Sequence, residues 1–518
     1  MKRNRRELLT AGLGALALPD LLRLQAESGP ANDRAVLFIL QEGGASQFET
    51  WDPKPEAGSA IRGEFAAIRT AVPGTLFSEA MPEQARLANK LVVLRSLHHP
   101  STQHSSSVHL LKTGFYCRAE SEVNEMPSAG SIAAKLLGPV EPRVPPYALL
   151  YVGERYDGPH YLGRAFSPFT VRSDDDRPAM RIPHVALVDG LTTEQLHDRA
   201  GLLADFDRTR GVLDSRGDAQ ALGEYQKQAI DLVTGPAARR ALDLNAEPAR
   251  VRDRYGRNPI GERFLLARRL IEHGSRFVTA GTFNWDHHGE LWKDLRKRGP
   301  AFDRALAALV EDVFDRGLQE RTLIVVAGEF GRTPAISSLP NSTPGRDHWG
   351  DAMSALLVGG GFDGGRVVGS TDAKGSRPRS APYRFECLLA LMYRHLGIDP
   401  ALTFPDHSGR PRSVLDIRDR IVELEGGAPQ RPSGPPGPFF RSSTTSPPPP
   451  LRAESRCPAI GAGSFSLMNA RTESTAAFAC SAGRPVFAAT VLISSSIARL
   501  LRGIRGCGRR PRRNPTST

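Results

Sequence analysis

The sequence predicts an α/β fold with a mostly parallel central sheet, and three observations carry that reading. Ala35 to Leu40 (AVLFIL) and Thr322 to Ala327 (TLIVVA) are apolar runs of strand length with almost no polar alternation. That is the pattern of strands covered on both faces. Helical stretches separate such runs along the chain. Finally, chemistry-bearing polar residues gather where the apolar runs end, and in open α/β sheets ligands bind at the carboxyl ends of the strands.

In chain order, residues 1–30 come first. Lys2, Arg3, Arg5 and Arg6 precede the short apolar stretch Ala11 to Leu18, the order of a signal peptide and too short to span a bilayer. Asn4-Arg5-Arg6-Glu7-Leu8-Leu9 resembles the twin-arginine export motif, with Leu8 where Phe is usual. The expectation is an exported protein, periplasmic or in the cell envelope, with the twin-arginine machinery as a partner. A basic amphipathic helix is the alternative. Leu24-Gln25-Ala26 is the best available cleavage site, so an uncleaved anchor stays open.

The body, 31–426, opens with Ala35 to Leu40 running into Gln41-Glu42-Gly43-Gly44. A strand at Leu91 to Leu94 leads into a loop bearing His98, His99, His104, Ser105 and His109. A helix is predicted over Ser128 to Leu137 and a strand near Tyr147 to Val152. From about 157 to 255 the pattern is that of a mostly helical insertion. Ile260 to His273 is an amphipathic helix with Gly274 as its cap. Arg276 to Ala280 is a strand ending before Asp286-His287-His288. A helix over Pro300 to Arg316 precedes Thr322 to Ala327, which releases Glu329 and, further on, Arg346-Asp347-His348-Trp349. Ser354 to Val358 reads as another strand, Gly359 to Gly365 as turns, and Pro382 to Leu396 and Ser413 to Leu424 as helices.

Residues 427–518 are rich in Pro, Ser, Gly and Arg, a composition that predicts disorder. They hold 13 Arg, no Lys and 2 Glu, a balance of +11 out of the chain's +12. The body is therefore near neutral, and a nucleic-acid partner is not expected. The Ser run and Arg499 within Val486 to Leu501 argue against a membrane span. Among the five cysteines there is no CxxC pair, so neither a thiolate zinc site nor a disulfide framework is suggested.

Four strand ends thus release Glu42, the His98–His109 loop, Asp286 with His287 and His288, and Glu329. Parallel strands put these on one edge. Carboxylates mixed with imidazoles are ligands of zinc, manganese or iron. Six candidates, Glu42, Asp286, His288, Glu329, Asp347 and His348, suit two divalent ions about 4 Å apart. Arg332 and Arg346 could then hold an anionic ester or glycan. Plainer readings stand beside these: Glu329 and Arg332 as an ion pair closing a turn, Asp286 to His288 as a helix cap, and the His98–His109 stretch as a polar surface loop.

QEGGASQFETWDPKP, LLKTG, WDHHG, GEFGRTP, GRDHW and LLVGGGFDGGRVVGSTD together resemble the DUF1501 family over roughly residues 34–424. That family is similar to the alkaline phosphatase/sulfatase superfamily. The resemblance implies a central sheet between helices, as in alkaline phosphatase, and a two-metal site. It implies that Glu329, Asp286, His288, Asp347 and His348 are ligands, with Glu42 in a place usually held by Asp. The superfamily nucleophile precedes the L-x-T-G stretch by about ten residues, which points to His104 or Ser105. The function expected is a metal-dependent hydrolase of phosphate or sulfate esters with Ser105 attacking. A non-catalytic protein binding a carbohydrate or a protein partner is the alternative.

Overall fold

The computed structural model describes residues 32–118, 121–151, 155–172, 235–337 and 343–426. The predicted signal segment, residues 173–234 within the predicted insertion, and the tail 427–518 lie outside the described residues.

The sheet strands, numbered along the chain, are β1 (Ala35–Gln41), β2 (Leu91–His98), β3 (Tyr147–Leu150), β4 (Phe169–Thr170), β5 (Phe277–Thr282), β6 (Thr322–Ala327), β9 (Met353–Gly359), β10 (Arg366–Val368) and β11 (Tyr383–Arg384). The short strands β7 (Gly331–Arg332) and β8 (His348–Trp349) form a separate ribbon. The sheet order is β10-β2-β9-β6-β1-β5-β3-β4, with β11 also on β2. Only β9 runs against its neighbours β2 and β6; the other pairings are parallel. The mostly parallel α/β architecture is as expected, and the ends of β1, β2, β5 and β6 share one edge.

The longer helices are α1 (His104–Thr113), α2 (Ala129–Leu137), α3 (Pro236–Leu242), α4 (Ala249–Tyr255), α5 (Pro259–Glu272), α6 (Leu291–Asp315) and α7 (Phe385–His395). Alternate residues of the buried strands serve opposite layers. Leu37, Ile39, Ile324 and Val326 pack with α5 and α6, whereas Val36, Phe38, Leu323 and Val325 pack with α1, α2 and α7. The sheet is therefore sandwiched by helices, which is why its strands read as unbroken apolar runs.

Three local expectations change. The stretch from His104 is the helix α1, not a loop; its serines are weak helix formers, but Val108, Leu110 and Leu111 are buried, and tertiary packing of such a face decides helicity. Helix α6 begins nine residues before Pro300 and runs through it, secured by buried Leu291, Trp292 and Leu295. Within 413–424, only the residues from Val422 are helical. Cys117 and Cys387 are buried and unpaired. No helix among the described residues is long and apolar enough to cross a membrane.

Candidate metal centre

The site begins with backbone. After β1 the chain turns through Gly43 and Gly44 at φ 105° and 82°, a region open to glycine. A Cβ on Gly43 would lie 2.5 Å from the Asp286 nitrogen, and one on Gly44 would lie 2.4 Å from the Phe330 ring. The two glycines thus let the β1, β5 and β6 loops close on one another. The Gly43 N–H donates to both Glu329 oxygens at 2.9 and 3.1 Å, and the Glu329 side chain is fully buried.

Three imidazoles stand around one carboxylate. His104 at the start of α1 faces the Glu329 Oε1 through Nδ1 at 2.8 Å and Asp286 Oδ2 through Nε2 at 3.2 Å. His348 donates from Nδ1 to the Thr102 carbonyl at 2.8 Å and turns Nε2 to Asp286 Oδ1 at 3.0 Å. His288 places Nδ1 on Asp347 Oδ1 at 2.8 Å and Nε2 on Asp286 Oδ1 at 3.1 Å. Each Nδ1 faces an oxygen that only accepts, so each carries the proton. Each Nε2 then points its lone pair at Asp286 unless a second proton or a cation stands between them. The His288 and His348 Nε2 atoms are themselves 3.0 Å apart. Donor atoms of His104, Asp286 and His348 all lie within 4.8 Å of one another.

Burial alone would raise the Asp286 carboxyl, but hydrogen bonds from His104, His348 and Arg332 hold it far below the usual carboxylate range. Burial likewise opposes the His104 imidazolium, yet Asp286 and Glu329 push its pKa up to about 9. Glu42 is raised to about 7, first by burial and then by the charge of Glu329, against the pull of Lys112. Its Oε2 is buried without a hydrogen-bond partner.

Glu329 and Asp347 meet the Nδ1 atoms of His104 and His288. Arg332 and Arg346 are wholly buried and cannot reach an ester. Arg346 grips Glu49 with Nε at 3.1 Å and one terminal nitrogen at 2.8 Å, and its guanidinium also donates to Thr333, Pro334 and Ile61 carbonyls. Arg332 is bonded to Asp286 and to loop carbonyls. Ser105 lies near Tyr156, whose hydroxyl donates to the Ser121 carbonyl, while its neighbour His104 turns into the cluster. Ser105→Ala is accordingly expected to leave metal content and any ester hydrolysis within about twofold of wild type; a loss beyond about tenfold would return the hydroxyl to the reaction.

Other histidines of the predicted loops are structural. His99 donates from Nε2 to the Glu329 carbonyl at 2.6 Å, and burial lowers its pKa to about 4, so it ties the β2 end to the β6 end as a neutral ring. His109 bonds the Phe115 carbonyl at 2.6 Å, and His287 bonds Asp294 at 3.0 Å. The sequence reading missed Lys112, Asp157 and Tyr151, a buried polar group whose lysine charge acts on Glu42. The only sequence signal was a Lys within the otherwise apolar end of VHLLKT.

The sequence model of the family DUF1501, described as a protein of unknown function, matches residues 33–424, and the chain belongs to that family. Solved structures similar to the chain include the PsFucS1 sulfatase from Pseudoalteromonas sp., at 14% identity over 77% of this chain and 72% of that one, with a TM-score of 0.34. A protein of the alkaline phosphatase superfamily from Vibrio parahaemolyticus is 12% identical over 77% and 76%, with a TM-score of 0.30. Alkaline phosphatase from the Antarctic bacterium TAB5 is 10% identical over 71% and 99%, with a TM-score of 0.32. No curated protein matches the sequence.

Proposed function

We propose that this member of the DUF1501 family is an exported metal-dependent hydrolase of phosphate or sulfate esters, with His104, Asp286, His288 and His348 holding a divalent ion. One observation carries the reading: three imidazoles keep Nδ1 occupied by outward acceptors and turn Nε2 toward a single carboxylate. Histidine ligands of metals characteristically donate the other ring N–H to a carboxylate or carbonyl. A cation amid the Nε2 atoms would satisfy every lone pair at once, and an N/O donor set suits zinc, manganese or iron. Such an ion polarises ester oxygens and acidifies bound water when present.

The chain's own residues supply the rest. Glu329 and Asp347 fix the tautomers and orientations of His104 and His288. The Asp286 and Asp347 side chains are 41% and 51% exposed, so a solute can reach the centre. Glu42, whose Oε2 is buried and unpartnered, is the remaining donor suited to a second ion of the expected pair. Export rests on the twin-arginine-like start.

A second reading, a binding protein without turnover, is favoured by the place of His104, which meets Glu329 and Asp286 where a nucleophile was expected. Elemental analysis of the purified chain, followed by assays on 4-nitrophenyl phosphate and sulfate, separates the two. One or two equivalents of metal, lost in His348→Ala, together with ester hydrolysis is the expected result. Metal without hydrolysis would favour the binding protein, and no metal would remove the centre.

A further inference from the structure

Arg332 is wholly buried beside the cluster and touches the loops after β1 and β5 and the segment before β8. Its Nε donates to the Gly44 carbonyl at 2.8 Å, and one terminal nitrogen donates to the Arg346 carbonyl at 3.0 Å. The other terminal nitrogen bonds Asp286 Oδ1 at 2.7 Å, the Trp285 carbonyl at 3.1 Å and the Gly43 carbonyl. One guanidinium thus joins the loop bearing Glu42, the loop bearing Asp286 and His288, and the strand start bearing Asp347 and His348. It sits three residues after Glu329.

The geometry points to Arg332 as the positioning residue of the metal centre, acting through Asp286 and the three loop backbones rather than on any substrate. This rests on the metal-centre reading above. Only a planar fork of donors can meet carbonyls and a carboxylate in these directions together; a lysine ammonium is a compact point charge on a flexible stem. With the fork gone, Asp286 keeps its charge but loses the contact that orients Oδ1 toward His348 and His288. The loop spacing that sets the distances among the Nε2 atoms would relax too.

The test compares Arg332→Lys with Arg268→Lys in the full chain. Arg268 is an equally buried arginine, paired with Glu247, Glu272 and Asp312 on the helical layer, and it contacts none of the cluster residues named here. Zinc affinity is read by calorimetry and stability by thermal melting. Partners that orient metal ligands typically govern about 10- to 100-fold in metal affinity, and that loss is expected for Arg332→Lys. Arg268→Lys should lower the melting temperature and leave zinc affinity unchanged. If Arg332→Lys does not fold, Arg332→Gln, which retains two N–H donors, takes its place. Zinc affinity that stays at the wild-type value in the Arg332 variant, or falls equally in both variants, would overturn this role alone. A wild-type chain that takes up no zinc would overturn the metal centre and this role with it.

Discussion

Asp286→Asn is expected to strip the centre of metal while leaving the fold in place. The carboxylate is the one group that all three Nε2 atoms and Arg332 share. An asparagine oxygen can still accept from Arg332, and its NH2 can donate to an imidazole lone pair, so the apo cluster becomes self-sufficient in hydrogen bonds. The negative charge that draws a cation is gone. Partners that merely orient metal ligands govern about 10- to 100-fold in metal affinity, so losing a ligand together with its charge is expected to cost about 100-fold or more in zinc affinity. Asp286→Ala should lose metal equally and also lower the melting temperature, because the buried Arg332 then keeps only carbonyl partners. Equal zinc affinity in Asp286→Asn and wild type would remove Asp286 from the ligand set.

The same contacts predict a pH signature in the metal-free chain. The folded pKa of His104, about 9, lies above the ordinary histidine value of 6.5. Its contribution to stability is therefore complete below pH 6.5 and is lost as pH rises from there through about 9. Metal and proton compete for the same nitrogen, so zinc uptake near neutral pH should release protons. In Asp286→Asn both effects should shrink, since the strongest listeners to the His104 charge are Asp286 and Glu329.

What was legible in the sequence follows from which forces are local. β1 and β6 announce themselves because both faces are covered, leaving no polar position within Ala35–Leu40 and only Thr322 within Thr322–Ala327. The acids just past such runs, Glu42, Asp286 and Glu329, fall at one edge simply because β1, β5 and β6 are parallel. What resisted reading depends on partners far away in the chain. Glu329 and Arg332 look like a site acid with an anion holder, yet Arg332 spends its fork on Gly43 and Gly44, 289 and 288 residues away. His104 and Ser105 are equivalent as letters. Only the docking of α1 against the sheet decides that the imidazole enters the cluster and the hydroxyl lies near Tyr156. Glu329 and Asp347 fall beside the imidazoles, where the Nδ1 atoms of His104 and His288 claim their oxygens, a pairing that depends on residues 225 and 59 positions away.

Lys112→Met is expected to be the most destabilising single change near the site. Lys112 ends α1 with its ammonium buried, donating to the Arg155 carbonyl at 2.6 Å, to Asp157 and to the Tyr151 hydroxyl. Asp157 also accepts from Tyr147 and Tyr151, each at 2.9 Å, and both members of the ion pair have side chains 3% exposed. Methionine fills the space and leaves Asp157 charged in a dry setting, a loss of about 3–5 kcal/mol. For a body of several hundred residues this is a fall of roughly 4–8 °C in melting temperature. Adding Asp157→Asn removes the stranded charge while keeping an acceptor for the tyrosines, so the double variant should recover more than half of the loss. Lys112 is also the cation that most favours ionised Glu42. If the double variant melts near wild type yet binds fewer equivalents of metal, Glu42 takes part in holding a second ion and Lys112 keeps it charged. If stability returns with full metal content, the network is scaffold alone, anchoring the helix whose first residue is His104.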